Sequence, residues 1–344
     1  MFIDAPEASA LHGPDLASYD RILVAFSGGK DSLAALLLTL RNLKELGADM
    51  SKVELHHHDV DGGGGDFMDW AVTRSYCEAV AEHLGLVLLY SYKVGGFERE
   101  MNRDGTPTAP IRFEVLREDG TKEMREVGGE GPDGTRLKFP QVSADLSVRW
   151  CSGYLKIDVM ARLITNQERF NNSRTLVITG ERAQESTARS KYLTFEPHRT
   201  DRRTGRLGRH VDHWRPIHGW SEEQVWDIIR DFGIVPHVAY QLGWSRLSCI
   251  TCIFGSPDQW ATIKHVFPKR FEQIAGPEEK FGVTIRRTGS VRDIAAKGTP
   301  YEAALANPDL VLLANSKAWT QPIHVATEAW QLPAGAFGEN VGPL

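Results

Sequence analysis

The chain has 344 residues, 41% hydrophobic and 25% charged, enough apolar material for one large domain with extensions. Its net charge of −5 excludes a uniformly basic nucleic-acid binder, so any such surface has to be local. No stretch approaches the roughly 20 apolar residues of a membrane span. Residues 1–15 also lack the basic-then-apolar order of a secretion signal, so a cytoplasmic location without a membrane partner is expected.

Taken in chain order, RILVAF (21–26) is a short apolar run suited to a buried strand, and Leu33, Leu36, Leu37, Leu40 and Leu43 follow at helical spacing. VELHHHDV (53–60), a helix near 66–84 and LVLLYSY (86–92) continue the alternation, which predicts an α/β domain with a parallel sheet. Residues 95–140 break the rhythm. IRFEVLR and TKEMREV flank an Asp-Gly turn, the pattern of a β-hairpin insertion or flap. A helix near 151–169, the strand TLVITG (175–180) and the helix SEEQVWDIIRDF (221–232) follow, the last opened by Ser221 with Glu223 or Gln224 near a capping box. The first domain is drawn over 1–255; residues 256–344 read as a mostly helical extension whose last 20 residues look loosely ordered.

SGGKDS (27–32) lies between the first strand and the first helix. Such a turn presents free backbone N–H groups at the positive end of a helix dipole, where phosphate binds. Gly28 and Gly29 allow close approach, the Ser27 and Ser32 hydroxyls add donors, and Lys30 adds charge. The segment is no Walker A loop, because position 24 is Val and Asp31 follows the lysine; nor does it fit G-x-G-x-x-G. An ordinary strand-to-helix turn is the plain structural reading. Cys77, Cys151, Cys249 and Cys252 favour metal, redox or sulfur chemistry over disulfides, the alternative being four buried small hydrophobes. Between His198 and Arg215, Arg199, Arg202, Arg203, Arg206, Arg209 and Arg215 face two aspartates. This stripe suits a phosphate backbone, a lid or a solvated loop.

The loop resembles the SGGxDS signature of the PP-loop ATP pyrophosphatases, with their adenine nucleotide alpha hydrolase-like fold. HHHDVD (56–61), KFPQVSADLSVRWCSGYLK (138–156), TGERAQESTARS (179–190), WRPIHGWSEEQVWDII (214–229) and IVPHVAYQLGWSRLSCITC (234–252) resemble the phosphoadenylyl-sulfate (PAPS) reductase-like branch. The resemblance implies that ATP is held by Ser27, Gly28, Gly29, Lys30, Asp31 and Ser32. It implies that Asp31 orients Mg²⁺ or the loop, and that His58 and Asp59 lie near the ribose or adenine. Gly180, Arg182 and Arg189 would complete the phosphate site, with Glu185 and Ser186 holding the arginines, while Trp244, Arg246 and the glycines at 62–65 shape a groove. Lys30, Asp31, Cys151 and Arg182 are the implied catalytic residues.

Iron–sulfur members use a Cys-Cys pair and a later C-x-x-C. Here Trp150-Cys151 replaces the pair, leaving Cys151, Cys249 and Cys252 as ligands for a possible [4Fe-4S] cluster, as zinc ligands, or as metal-free redox thiols. The thiol-dependent reductases also use a tail cysteine, and none follows Cys252. The nearest resemblance is therefore to the ATP pyrophosphatase of bacterial DNA phosphorothioate systems of the Dnd and Ssp type. It implies DNA as substrate and a partner cysteine desulfurase as sulfur donor. The alternatives are a PAPS/APS reductase-type enzyme, a non-catalytic nucleotide-binding regulator, or sulfuration of RNA or small molecules.

Overall fold

Strand β1 (Arg21–Ala25) is apolar at successive rather than alternate positions, and Ile22, Leu23 and Val24 are fully buried because both faces of the sheet are covered. The structure is a computed structural model and describes residues 13–247 and 249–338. Strand β2 (Val53–Asp59) pairs parallel with β1, and β3 (Val87–Lys93) lies parallel outside β2. Strands β4 (Ile111–Leu116) and β5 (Lys122–Val127) form the expected hairpin. On the other side of β1 stands β6 (Arg174–Ile178), parallel to it. The short β7 (Phe195–Pro197) is antiparallel to β8 (His210–Trp214), which runs parallel to β6. The resulting eight-stranded, mostly parallel sheet in the order β5-β4-β3-β2-β1-β6-β8-β7 is the α/β architecture that the alternation predicts.

Two elements differ from expectation. The hairpin is no flap: β4 pairs antiparallel with β3 and buries Ile111, Phe113 and Val115 against Val159 and Leu163, so the insertion widens the sheet. Helix α1 (Lys30–Glu45) forms as read, but α2 (Thr73–Leu84) starts later than position 66. The preceding turn is held instead by the Asp61 carboxylate, which accepts the N–H groups of Met68 and Asp69 at 2.9 Å each.

Helix α3 (Gly96–Met101) leads into the hairpin. The helix expected at 151–169 is α4 (Trp150–Ser152), a π-helical turn (Gly153–Ile157) and α5 (Asp158–Thr165). In α6 (Glu222–Asp231) Gln224 closes the capping box: Ser221 Oγ accepts the Gln224 N–H at 3.4 Å, and Gln224 Oε1 accepts that of Ser221 at 2.9 Å. After α7 (Val238–Gln241) come α8 (Pro257–Val266), α9 (Pro268–Phe281), α10 (Val291–Ala295), α11 (Glu302–Ala306) and α12 (Pro308–Asn315). Trp260, Ile263 and Phe271 of these helices share a core with Trp150, Leu155 and Trp244. The chain end docks where Trp330 Nε1 donates to the Ile234 carbonyl at 2.8 Å; residues 339–344 of the tail expected to be loose, and residues 1–12 of the leader reading, lie outside the described residues. Among the described residues no helix is long and apolar enough to cross a membrane.

Candidate nucleotide site

The turn after β1 is built by local constraints. Gly28 has φ +77°, which favours glycine, and a Cβ there would crowd the Cys77 sulfur at 3.0 Å. Ser32 Oγ donates to the Gly29 carbonyl at 2.9 Å and accepts the Ser27 N–H at 3.2 Å; the two serine hydroxyls lie 3.1 Å apart. The serines therefore brace the loop. The Gly29 N–H reaches Ser27 Oγ at 3.4 Å, and the Lys30 N–H donates to Tyr240 Oη at 2.8 Å. The N–H groups of Gly28, Asp31 and Ser32 meet no acceptor among the described residues, and they stand at the positive end of the α1 dipole. This is an anion cradle made of main chain.

Gly180 closes the cradle from the β6 side. A Cβ on it would fall 2.5 Å from the Asp31 carbonyl carbon and oxygen, so only glycine lets the segment after β6 lie on the first turn of α1. Arg182, 2% exposed, then donates from Nε to Asp31 Oδ1 at 2.6 Å and from Nη1 to Gln184 at 2.8 Å. Glu185 accepts the Arg182 N–H at 2.9 Å, binds Arg246 Nη2 at 3.0 Å and pairs with Arg189. Asp31, Arg182 and Arg189, over 150 residues apart in the chain at their widest, are thus brought to one edge of the sheet, joined by Arg246.

Lys30 does not serve the cradle as its charge pattern suggests. Its side chain is 2% exposed and runs inward, donating to the Ser245 carbonyl at 2.7 Å, 3.3 Å from Glu222 and 3.7 Å from Asp31, beside the Trp226 and Tyr240 rings. Burial works against its charge, but Asp31, Tyr240 and Glu222 outweigh it and raise the Lys30 pKa. Burial likewise would raise the Asp31 carboxyl, yet Lys30, Arg182 and Arg246 hold it below the ordinary carboxylate range. With cations on both of its oxygens, Asp31 orients the loop and does not fit as a resident Mg²⁺ ligand.

The other expected residues divide. Asp59 is a turn residue, accepting the N–H groups of Asp61 at 2.8 Å and Gly63 at 3.0 Å, so the tetraglycine turn already occupies it. His58 Nδ1 lies 2.7 Å from Ser91 Oγ while its buried Nε2 has no partner among the described residues, and burial drives its pKa well below the usual value. The thiols of Cys151 and Cys249 both lie within electrostatic reach of Cys252, and burial pushes Cys151 up to about 11 and Cys249 well above its ordinary value. Yet among the described residues no three His, Cys, Asp or Glu side chains gather to hold a metal. Cys77 is fully buried beneath Gly28 and does not complete the set. The residues fit neither a four-iron cluster nor Cys151 as a thiolate nucleophile at neutral pH.

The arginine stripe is also broken up. Arg215 is buried on Glu181 (2.8 Å) and Glu196 (2.7 Å), and Arg203 pairs with Asp201 (2.9 Å) and Asp212 (2.6 Å). The sequence reading missed Tyr240, Glu222 and Arg149. Tyr240 Oη accepts both the Lys30 and Leu247 N–H groups, at 2.8 and 3.1 Å, and locks the loop to the 245–247 segment. Arg149 is 8% exposed, its Nε and Nη1 have no partner among the described residues, and it faces Cys151, Arg189 and Cys252. Its place in RWC was visible; its burial was not.

Residues 135–254 match the phosphoadenosine phosphosulfate reductase domain family, a span that holds Arg149, the three thiols, Arg182 and Tyr240. The chain is 25% identical over 288 residues, 78% of this chain and 77% of the other, to an uncharacterized 37.8 kDa protein of Escherichia phage 186. It is also 25% identical over 252 residues, 73% of this chain and 40% of the other, to an uncharacterized protein of Methanocaldococcus jannaschii. Among solved structures, the Candida glabrata FMN adenylyltransferase with FAD and inorganic pyrophosphate matches with a TM-score of 0.38 and 11% identity, over 68% of this chain and 56% of that one. The same enzyme with ATP matches with a TM-score of 0.35 and 12% identity, over 68% and 53%. The chain therefore spans about half the length of these structures.

Proposed function

We propose that this chain is a PP-loop ATP pyrophosphatase that adenylates an oxygen so that sulfur can replace it. The observation that carries the reading is the cradle of unengaged Gly28, Asp31 and Ser32 N–H groups beside the Asp31–Arg182 and Glu185–Arg189–Arg246 pairs. Donors fixed in the fold stabilise charge without reorganising when it develops. The acceptor oxygen attacks the α-phosphorus of ATP, the bond to the β-phosphate oxygen breaks, and pyrophosphate leaves with that electron pair onto the main-chain donors. AMP, unlike oxide, is then a leaving group that sulfide can displace; a persulfide displaces it too, leaving a disulfide that a second thiol must cleave to free the sulfur on the acceptor. The acceptor is a DNA backbone phosphate and a partner cysteine desulfurase supplies the sulfur; the family match over the thiol-bearing segment supports the sulfur part. In this reading Arg182 and Arg189 orient the phosphates, Lys30 and Asp31 position the loop, and the protein works in the cytoplasm.

The test is pyrophosphate release from MgATP, alone and with DNA and a desulfurase, with labelled sulfur followed into the DNA. Release that survives Gly180→Ala unchanged, or no release under any of these conditions, overturns the reading. The family match also favours a second reading, PAPS reduction at the same edge. PAPS binding with thiol-driven sulfite release and no ATP turnover would establish it instead.

A further inference from the structure

The arginines that do not join the nucleotide site collect at the opposite edge of the sheet. Strands β6 and β8 start there, and their carboxyl ends point toward the cradle, so the five residues of β6 separate the two edges by about 15 Å. A cavity of about 310 Å³ opens between the end of α5 and the loop ahead of β8, lined by Arg162, Thr165, Arg199, Thr200, Arg202 and Arg209 with one alanine. No carboxylate among the described residues lines it.

The partners of these arginines show where their charge is left. Arg209 is 6% exposed; its Nε donates to the Thr200 carbonyl at 3.0 Å, and its terminal nitrogens meet no acceptor among the described residues. Arg202 donates from Nη1 to the Asp201 carbonyl at 2.7 Å, and Arg199 makes no hydrogen bond or ion pair among the described residues. Arg162 lies 3.7 Å from Asp158 on an exposed helix face, a weak pair. The neighbouring carboxylate of Asp201 is occupied by Arg203 Nε at 2.9 Å and the Val211 N–H at 2.8 Å. Burial and then Arg202 push the Arg209 pKa down, and Asp201, itself held by Arg203, opposes them without reversing the shift. Guanidinium does not lose its proton in proteins, so the repulsion that Asp201 leaves uncompensated favours a bound anion.

We propose that this cavity binds the phosphate group of a phosphate-bearing ligand, with Arg209 at its floor and Arg199 and Arg202 at its rim. Guanidinium forks match phosphate oxygens two at a time, and three cations around one cavity suit a multiply charged oxyanion better than a singly charged carboxylate and repel a metal ion. Inorganic phosphate and a polynucleotide backbone present the same group. The site is independent of the ATP reading, since it shares no residue with the cradle.

The experiment uses the full chain, inorganic phosphate by calorimetry and a fluorescein-labelled 20-base-pair DNA by anisotropy over a range of salt. The variants are Arg199→Ala with Arg202→Ala, both exposed, and separately Arg209→Lys. The expected result is phosphate affinity reduced about tenfold or more in the double variant, and also in Arg209→Lys, which keeps the charge but loses the fork. If DNA affinity falls with it and the salt slope drops by about 1 to 2, the phosphate comes from a polynucleotide. If DNA affinity is unchanged while phosphate binding falls, the ligand is a free phosphate or small phosphate ester. Phosphate affinity within twofold of the parent in both variants, or no phosphate binding to the parent, overturns the proposal.

Discussion

At the carboxyl edge of the sheet Arg182 meets Asp31, and Arg189 and Arg246 meet Glu185; at the amino edge Arg199, Arg202 and Arg209 reach carbonyls or solvent. The same residue type does opposite work. A paired, buried guanidinium is fixed in place and its field is largely cancelled nearby, so the carboxyl edge binds anions chiefly through amide dipoles. A guanidinium without a carboxylate keeps its charge for a ligand. The comparison implies that mutations at the two edges separate stability from binding.

The largest effect is expected at Asp31. Asp31→Ala strands the charge of Arg182 in the interior and leaves Lys30 to Glu222 alone, and breaking such a buried pair costs about 3–5 kcal/mol. The urea midpoint should fall sharply and pyrophosphate release should vanish; a midpoint equal to the parent's would break the contrast between the edges.

The amino edge offers a carboxylate pair as a control. Glu54, 3% exposed, takes Arg169 at 2.6 and 2.8 Å; burial would raise its carboxyl, but His56 and Arg169 lower it to about 2. A depressed carboxylate stabilises the fold above its unfolded pKa, and that stability is lost as pH falls toward the folded value. The loss should amount to about 3 kcal/mol between pH of about 5 and about 2. In Glu54→Gln this segment of the stability–pH curve should flatten, which acid titration followed by circular dichroism would reveal.

Gly180→Ala should cost about 1–3 kcal/mol, because its new methyl overlaps the Asp31 carbonyl. ATP turnover should fall far more than stability does, since the cradle itself is displaced. Tyr240→Phe removes the acceptor of one buried and one partly buried N–H group, for a similar cost of about 1–3 kcal/mol in thermal unfolding. Arg199→Ala, at the other extreme, should shift stability by less than about 0.5 kcal/mol. A marked destabilisation there would mean that this arginine serves the fold rather than a ligand.

Much of this was legible in the sequence because its causes are local. Successive apolar residues set β1, leucine spacing set α1, and the Ser221–Gln224 box and the Asp119–Gly120 turn each fix their own few residues. SGGKDS is in part such a case: glycine at a positive φ and serines bonding within six residues shape the turn, which Tyr240 and Gly180 then lock and close from afar.

What tertiary structure alone decided was the partner of each charge. Lys30 turns inward because Glu222 and the Ser245 carbonyl wait there. Burial, not spacing, pushes the Cys151 and Cys249 thiols up, and the six arginines divide between two edges because β7 and β8 carry their loop away from the cradle. Main-chain geometry depends on neighbours in the chain; a side chain's charge and availability depend on neighbours in space, which only the folded sheet supplies.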